Sequence, residues 1–459
     1  MTAAEEIEQL APWAKVVPTG WKVTRLDAAA DVLFSNVDKH TIDGELPVRL
    51  CNYVDVYKNN CITNGIDFME ASADEREIQK FQIRCGDVLA TKDSEEADDI
   101  AISSLVAENL PGVLCGYHLA MIRPRFPSVS GPFLAWLHAS KAFRAQYEAK
   151  AVGVTRFGLS QYSFRAARIP LPPLQEQQRI TAYLDASCAA IDAAVAAKRS
   201  QLETLDALRK AIIERTVSYG ISAHPKLRKV DNEWIKEVPT HWDVCRVKRV
   251  LARMDYGIGV STVEEGRYPV LKMGHLQDGE IHFSNLDFVD EVDDNLILET
   301  GDLLYNRTNS PDQVGKAAIF RKSRADAITF ASYLVRLRVN HRANASFLNY
   351  VFNSDGFLGF ARRLAIPSVQ QSNLNSTRYA QMFIPLPSIE EQESIRTYLD
   401  EKTGEVDRIV ATIESQIATL TAYRKSLIHE CVTGQRRITE KDVVAAKRAE
   451  ASELSQHQN

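Results

Sequence analysis

The residues whose types could do covalent chemistry are few in this chain, and their spacing speaks against it. Gly315-Lys316 comes nearest to a phosphate-cradling loop, but Ala317 follows where a Ser or Thr hydroxyl would meet magnesium, and the preceding glycine is missing. A metal-dependent nuclease needs clustered carboxylates and a lysine, and Pro311-Asp312 is followed by no Asp/Glu-x-Lys until Asp400-Glu401-Lys402. Methyl transfer to adenine needs a glycine-rich cofactor loop and an Asn/Asp-Pro-Pro-aromatic motif; the Pro-Pro of this chain, Pro172-Pro173, follows Leu171. No His-Glu-x-x-His metal motif occurs. Glu176 and Glu391 stand at expected helix starts, where the dipole favours a carboxylate, and read as structural. Cys51, Cys61, Cys85, Cys115, Cys188, Cys245 and Cys431 include no Cys-x-x-Cys pair, so reduced thiols are expected rather than a zinc site or a disulfide framework.

The chain is therefore expected to carry no catalytic site. Its 459 residues exceed one ordinary core, and 45% hydrophobic composition can fill two. The acidic start, Met1-Thr2-Ala3-Ala4-Glu5-Glu6, and the lack of an evident bilayer-spanning run point to a cytoplasmic protein without a membrane partner. A net charge of −5 argues against wrapping nucleic acid with the whole surface, while leaving a local basic groove open.

The strongest signal is a duplication. Ile169-Pro170-Leu171-Pro172 recurs 215 residues on as Ile384-Pro385-Leu386-Pro387. The same shift carries Glu176-Gln177 onto Glu391-Gln392, Tyr183-Leu184-Asp185 onto Tyr398-Leu399-Asp400, Asp192 onto Asp407, and Gly86-Asp87-Val88-Leu89 onto Gly301-Asp302-Leu303-Leu304. Val17-Pro18-Thr19-Gly20-Trp21 matches Val238-Pro239-Thr240-His241-Trp242 at a shift of 221. Between these fixed points the halves diverge, so two copies of one scaffold should bind different things.

The class expected is α+β: two globular mixed domains alternating with two long helices that pair as an antiparallel coiled coil, in an internal pseudo-twofold repeat. Residues 113–122 and 333–339 read as β-rich, and 133–147 and 347–363 as helical. The boundaries are 1–173 for the first domain, 174–219 for the first helix, 220–237 for a linker, 238–388 for the second domain, 389–433 for the second helix and 434–459 for a tail. Each helix could reach on the order of 60 Å. Leu184, Cys188, Ile191, Val195, Lys198, Leu202, Leu205, Arg209 and Ile212 step by alternating fours and threes, as do Leu399, Thr403, Val406, Val410, Ile413, Ile417, Leu420, Arg424 and Leu427, which is a coiled-coil seam. Paired antiparallel, such helices would act as a ruler between the domains. Arg209 and Arg424 occupy the same seam position, either reaching solvent on extended stems or fixing register and meeting acidic groups on a partner subunit. Lys226-Leu227-Arg228-Lys229 reads as an exposed connector, and the tail as frayed or partly helical without a site.

These motifs, in this order and duplicated, resemble the specificity subunit of Type I restriction-modification enzymes, over nearly the whole chain. The segment from Gly301 through Asn306-Arg307-Thr308-Asn309-Ser310 to Val314-Gly315-Lys316 looks like a familiar second-domain form; Asp55-Val56-Tyr57-Lys58-Asn59 and Ala90-Thr91-Lys92-Asp93-Ser94 look like another recurrent type. The resemblance implies target-recognition domains that each read one half of a split, asymmetric double-stranded DNA site, with the helices setting the unread spacer. It also implies docking to two methyltransferase (modification) subunits and, where the complex cleaves, two restriction subunits. S-adenosylmethionine, ATP and Mg2+ would then belong to those partners and no cofactor to this chain. The alternative is a coiled-coil protein-interaction scaffold without DNA specificity, which leaves the divergence of the halves unexplained.

Base reading uses Arg or Lys toward guanine and Asn or Gln toward adenine, and phosphate positioning uses Lys, Arg, Ser and Thr. The candidates are Lys58, Lys92, Arg156, Ser160 and Gln161 in the first domain, and Asn306, Arg307, Asn309, Lys316, Gln370, Gln371 and Asn373 in the second. Arg307 and Lys92 stand out because both follow the Gly-Asp turn.

Overall fold

The computed structural model describes residues 11–321, 327–368 and 371–456. It divides into two compact units, one of residues 1–199 with 414–459 and one of residues 200–413. Each unit thus takes one globular domain and a share of both long helices, Leu174–Tyr219 and Ile389–Thr433.

In the first unit, strands Ala30–Phe34, Leu119–Pro124, Val88–Thr91, Ser103–Val106 and Cys61–Ile62 lie side by side in that order, antiparallel except at the last, parallel pair. A second sheet sets Leu46–Cys51 between Met69–Ala73 and Val113–Cys115. The second unit repeats the plan with Leu251–Tyr256, Leu334–Val339, Leu303–Asn306, Ala317–Ile319 and Glu280–Ile281, extended by Leu276–Gln277. Its smaller sheet sets Tyr268–Leu271 between Asp287–Val289 and Thr329–Phe330. The central strand of each large sheet is apolar at successive positions because both of its faces are covered. Val88 and Ala90 enter one core and Leu89 the other; Leu303 and Tyr305 likewise part from Leu304, following the two-residue alternation of a strand.

The recurring motifs prove to be joints of this scaffold. Gly86 and Gly301 adopt φ of +92° and +94°, a left-handed turn open to glycine, and each sends the next carboxylate inward. Asp87 receives Arg123 Nε and Nη2 at 2.8 and 2.6 Å, and Asp302 receives the counterpart Arg338 Nε and Nη2 at 2.7 and 2.8 Å. Gln177 is fully buried: its Oε1 accepts from Ser130 N at 2.9 Å and its Nε2 donates to Ser128 O and Pro172 O. Gln392 does the same with Asn344 N, Arg342 O and Pro387 O. The Glu-Gln pair therefore clamps the start of each long helix to its domain. Asp185 and Asp400 anchor the next turns, accepting from Trp136 Nε1 at 2.7 Å and Tyr350 Oη at 2.8 Å. Ile169-Pro170 and Ile384-Pro385 lie in two-stranded ribbons against Lys22–Arg25 and Asp243–Arg246, where a missing amide donor is tolerated.

Along both long helices every seam position is buried or half-buried, while most of the residues between them are exposed. Within the first unit the strands of the seam run in opposite senses, Asp192 meeting Arg424 and Lys198 Nζ donating to Gln416 Oε1 at 2.6 Å. Within the second, Arg209 meets Asp407, and Ile212, Ile213 and Val217 pack into one core with Leu399 and Ile395. Each helix ends on a left-handed glycine: Gly220 (φ +77°) abuts Trp242, and Gly434 (φ +80°) abuts Pro18 and Trp21, so the Val-Pro-x-x-Trp motif is the seat of a helix end.

Two expectations are corrected, and the helical part of the tail is located. Residues 220–237 are not a plain solvated linker: Leu227–Lys229 pairs with Glu237–Pro239, Trp234 Nε1 donates to Phe383 O at 3.0 Å, and Ile235 is buried. Arg228 donates to Trp242 O at 2.7 Å, which ties it to the fold. The tail forms the helix Glu440–Gln456, whose Val443 and Ala446 enter the first unit's core, because the apolar faces of residues 180–191 need cover. Finally, a window within Leu174–Tyr219 is long and apolar enough by composition to cross a membrane; 44% of it is buried within the protein, as in the core helix of a folded domain.

Candidate nucleic-acid interface

The strand that starts at each Gly-Asp turn ends on a cation. Lys92 and Arg307 are counterparts in the repeat, and both are held by the same backbone frame. Lys92 N donates to His118 O at 3.1 Å and its carbonyl accepts from Leu159 N at 2.8 Å; Arg307 N donates to Tyr333 O at 3.0 Å and its carbonyl accepts from Leu374 N at 2.8 Å. Each cation lies over an aromatic ring, Lys92 at 5.1 Å from Phe34 and 4.3 Å from Tyr117, Arg307 at 5.0 Å from Tyr256. Burial lowers the Lys92 ammonium below its ordinary pKa, with Asp93 opposing that shift. Arg307 Nη1 donates to Ser332 O at 3.2 Å, while its Nε has no partner.

A short hairpin strand pairs beside each cation. Phe157–Gly158 pairs with Asp93–Ser94, and Ser372–Asn373 with Thr308–Asn309. In the first unit this brings Arg156 to Asp93, Nε to Oδ1 at 3.1 Å, with Nη2 on the same oxygen and His118 Nδ1 at 3.4 Å from Nη2. His118 Nδ1 also lies 2.9 Å from Asp93 Oδ2, and the Asp93 hydrogen bond raises the Arg156 pKa. Exposed Tyr117 and half-exposed Arg156 form the outer face of this cluster. In the second unit Asn373 Nδ2 donates to Thr308 Oγ1 at 2.9 Å, and Gln371 is exposed.

Other candidates have different surroundings. Lys58 ends the helix Tyr53–Lys58 and is exposed, beside Tyr57 stacked on Tyr53 at 5.6 Å. Ser160 caps the helix Gln161–Ala166 by accepting from Ser163 N at 3.1 Å, and Gln161 Nε2 braces Val32 O at 2.8 Å. Asn309 Oδ1 accepts from its neighbour Ser310 N at 2.8 Å. Asn306 is 1% exposed with neither amide atom partnered, whereas its counterpart Thr91 accepts from Ile102 N at 3.1 Å. Lys316 lines a cavity of about 640 Å3 in the second unit with Arg209, Tyr350, Asp400 and Asp407, on the helix side of the domain and away from the cation site. Gln370 lies outside the described residues.

Arg209 and Arg424 find acids on this chain itself. Arg424 Nε and Nη2 reach Asp192 at 2.9 and 3.2 Å, and Arg209 Nη1 lies 3.8 Å from Asp407. Asp192 and Asp407 are themselves counterparts, so one ion pair occurs twice. Glu176 pairs with Arg437 Nε at 2.8 Å, and Glu391 with His241 Nε2 at 3.0 Å. Among the described residues no three His, Cys, Asp or Glu side chains gather as a metal site. The sequence reading missed Asp93, His118, Phe34 and Tyr256 as site residues; Asp93, beside Lys92, could have been found from its neighbour, whereas the others meet the cations through contacts remote in sequence.

Residues 52–204, a third of the chain, match the family model of the Type I restriction modification DNA specificity domain. Similar proteins include the putative type I restriction enzyme MjaX specificity subunit of Methanocaldococcus jannaschii, 26% identical over 43% of this chain and 47% of that one. The EcoKI specificity subunit of Escherichia coli is 22% identical over 75% of this chain and 73% of its own. The MjaVIII specificity subunit of M. jannaschii is 21% identical over 92% and 94%. The fold is shared with a chain solved in work on complex assembly of the type I R-M system (TM-score 0.72, 19% identity, 91% and 98% covered). It is also shared with the HsdS subunit from Thermoanaerobacter tengcongensis (TM-score 0.54, 19% identity, 92% and 98% covered). Residues 52–204 are thus similar to the Type I DNA specificity domain, and the chain has the fold of the two solved chains over 91–92% of its length.

Proposed function

We propose that this chain selects the DNA on which a Type I complex acts, each globular domain reading one half of a bipartite, asymmetric duplex site. The observation that carries this reading is a fixed frame with exchanged readers. Asp87/Asp302, Arg123/Arg338 and Gln177/Gln392 make the same contacts in both units. Around each cation site, by contrast, Lys92, Asp93, His118 and Arg156 give way to Arg307, Thr308, Tyr333 and Gln371. Scaffold residues kept and polar surface residues changed is what two half-sites of different sequence require.

On this reading the long helices set the number of unread base pairs and dock two modification subunits, which methylate adenine with S-adenosylmethionine. Two restriction subunits add ATP- and Mg2+-dependent cleavage where they are present. This chain supplies no catalytic group and works in the cytoplasm. The test is methylome sequencing of cells with and without the chain, each expressing the modification partner. A split asymmetric adenine motif that appears only with the chain is expected; no new motif, with a partner shown to be assembled and active, would favour a protein-binding scaffold.

A further inference from the structure

The two hairpins put different side chains at one structural position. Phe157 and Gly158 pair with Ser94 and Asp93, and Ser372 and Asn373 pair with Asn309 and Thr308. Both strands of the pairing keep the 215-residue shift, so Gln371 is the counterpart of Arg156, each just before the paired strand and each exposed. Gly153 fixes the turn in the first unit, since a Cβ there would lie 2.0 Å from Arg156 O.

Arg156 is oriented as well as exposed. Its Nε donates to Asp93 Oδ1 at 3.1 Å and Nη2 engages the same oxygen. That leaves Nη1, together with Nη2 beyond its long 3.4 Å contact to His118 Nδ1, as a planar fork on the guanidinium edge away from the carboxylate. Such a fork matches a pair of acceptors in one plane, as guanine O6 and N7 present in the major groove. A phosphate contact would gain nothing from Asp93, whose charge opposes the phosphate. The second unit fits the same logic: a glutamine needs no carboxylate to orient it, and the residue in the place of Asp93 is Thr308, which accepts from Asn373 instead. A glutamine amide offers the donor and acceptor that adenine N7 and N6 require.

We propose that this hairpin position reads one base in each half-site, Arg156 a guanine in the first and Gln371 an adenine in the second, with Asp93 as the positioning residue of Arg156. The inference rests on the functional reading above and deepens it.

The test uses the intact complex with its modification partner. Methylomes are compared for the wild type, Arg156→Gln, Gln371→Arg and Asp93→Asn. Arg156→Gln is expected to change or relax one guanine of the first half-site, and Gln371→Arg one adenine of the second, all other positions being kept. Asp93→Asn is expected to relax the same guanine alone, whereas a purely structural role would weaken every sequence alike. With the motif known, 7-deazaguanine at that base should weaken wild-type binding by roughly 5- to 150-fold and leave Arg156→Gln unaffected; this arm needs only the wild-type protein if a variant fails to fold. An unchanged motif in both exchange variants, a uniform loss over all sequences, or insensitivity to 7-deazaguanine at every guanine of the half-site would overturn the proposal alone. A wild-type complex that methylates no split motif would overturn the functional reading and this proposal with it.

Discussion

Replacing Gln177 tests the clamp between a long helix and its domain. The side chain is fully buried and satisfies three backbone groups: Ser130 N–H, Ser128 C=O and Pro172 C=O. In Gln177→Ala all three lose their partner, and at about 1 kcal/mol for each orphaned group the variant should lose about 3 kcal/mol. Gln177→Glu is the sharper probe. It keeps the shape and one acceptor, but sets a carboxylate oxygen against two carbonyls in place of the donating amide, so it should cost at least as much as alanine despite its conserved volume. For a unit of this size, 3 kcal/mol corresponds to a drop of about 6–12 °C in its melting transition. Calorimetry on the intact chain, compared with the matching Gln392 variants, would show whether each lowers the transition of its own unit. If Gln177→Glu melts within about 1 °C of the wild type, well below the shift that 3 kcal/mol requires, the amide is not oriented by those carbonyls and the clamp argument fails.

The repeated ion pair should carry register more than bulk stability. Arg424→Asp is expected to cost about 1 kcal/mol or less, given the exposure of Asp192, and Asp192→Arg with Arg424→Asp to restore it; absence of coupling in that double-mutant cycle would remove the register role. Gly434→Ala should destabilise more than Gly220→Ala: both are left-handed, but a Cβ at 434 would meet Pro18 Cδ at 2.3 Å whereas one at 220 meets Trp242 Cζ2 at 3.2 Å. Equal melting temperatures for the two would refute this. His138 is buried and its pKa is lowered from 6.5 to about 4 by desolvation. Its neutral form therefore contributes stability that is complete above the unfolded value of 6.5 and lost as pH falls through the folded value of about 4. The loss should total about 3 kcal/mol. Denaturant titrations between pH 7 and pH 4 should show that slope in the wild type and a flatter one in His138→Gln.

Much of the frame could be read from the amino acids because its signals are periodic or duplicated. The seam spacing survives in the burial of Leu184, Cys188, Ile191, Leu399, Thr403 and Val406, and the two halves repeat one strand order, with Val88–Thr91 and Leu119–Pro124 keeping the shift of 215. The Gly-Asp turn precedes Lys92 and Arg307, yet its own aspartates serve Arg123 and Arg338 on the neighbouring strand. Polar type alone could not sort the remaining candidates. Ser160 and Gln161 have the residue types of a DNA contact and cap or brace a helix instead. Lys316 is nine residues beyond Arg307 but its side chain lines the helix side, because the chain has turned into the next strand by then. Trp234 and the helix Glu440–Gln456 were hidden for another reason: each packs on elements remote in sequence, and short-range pattern carries no record of such contacts.

The division of the chain has a consequence for its synthesis. Residues 200–413 make up the second unit without interruption, whereas the first unit needs residues 414–459 to join residues 1–199. Leu427, Ile428, Cys431 and Val432 share one core with Ile180, Leu184 and Cys188, and so must bridge an intervening loop of more than two hundred residues. The entropy of closing so long a loop grows only slowly with its length, but the order of events is fixed by the ribosome. The second unit has all its residues while the first still lacks part of its core, and until the last segment emerges the nascent chain carries an uncovered apolar helix face, the kind of surface on which chaperones act.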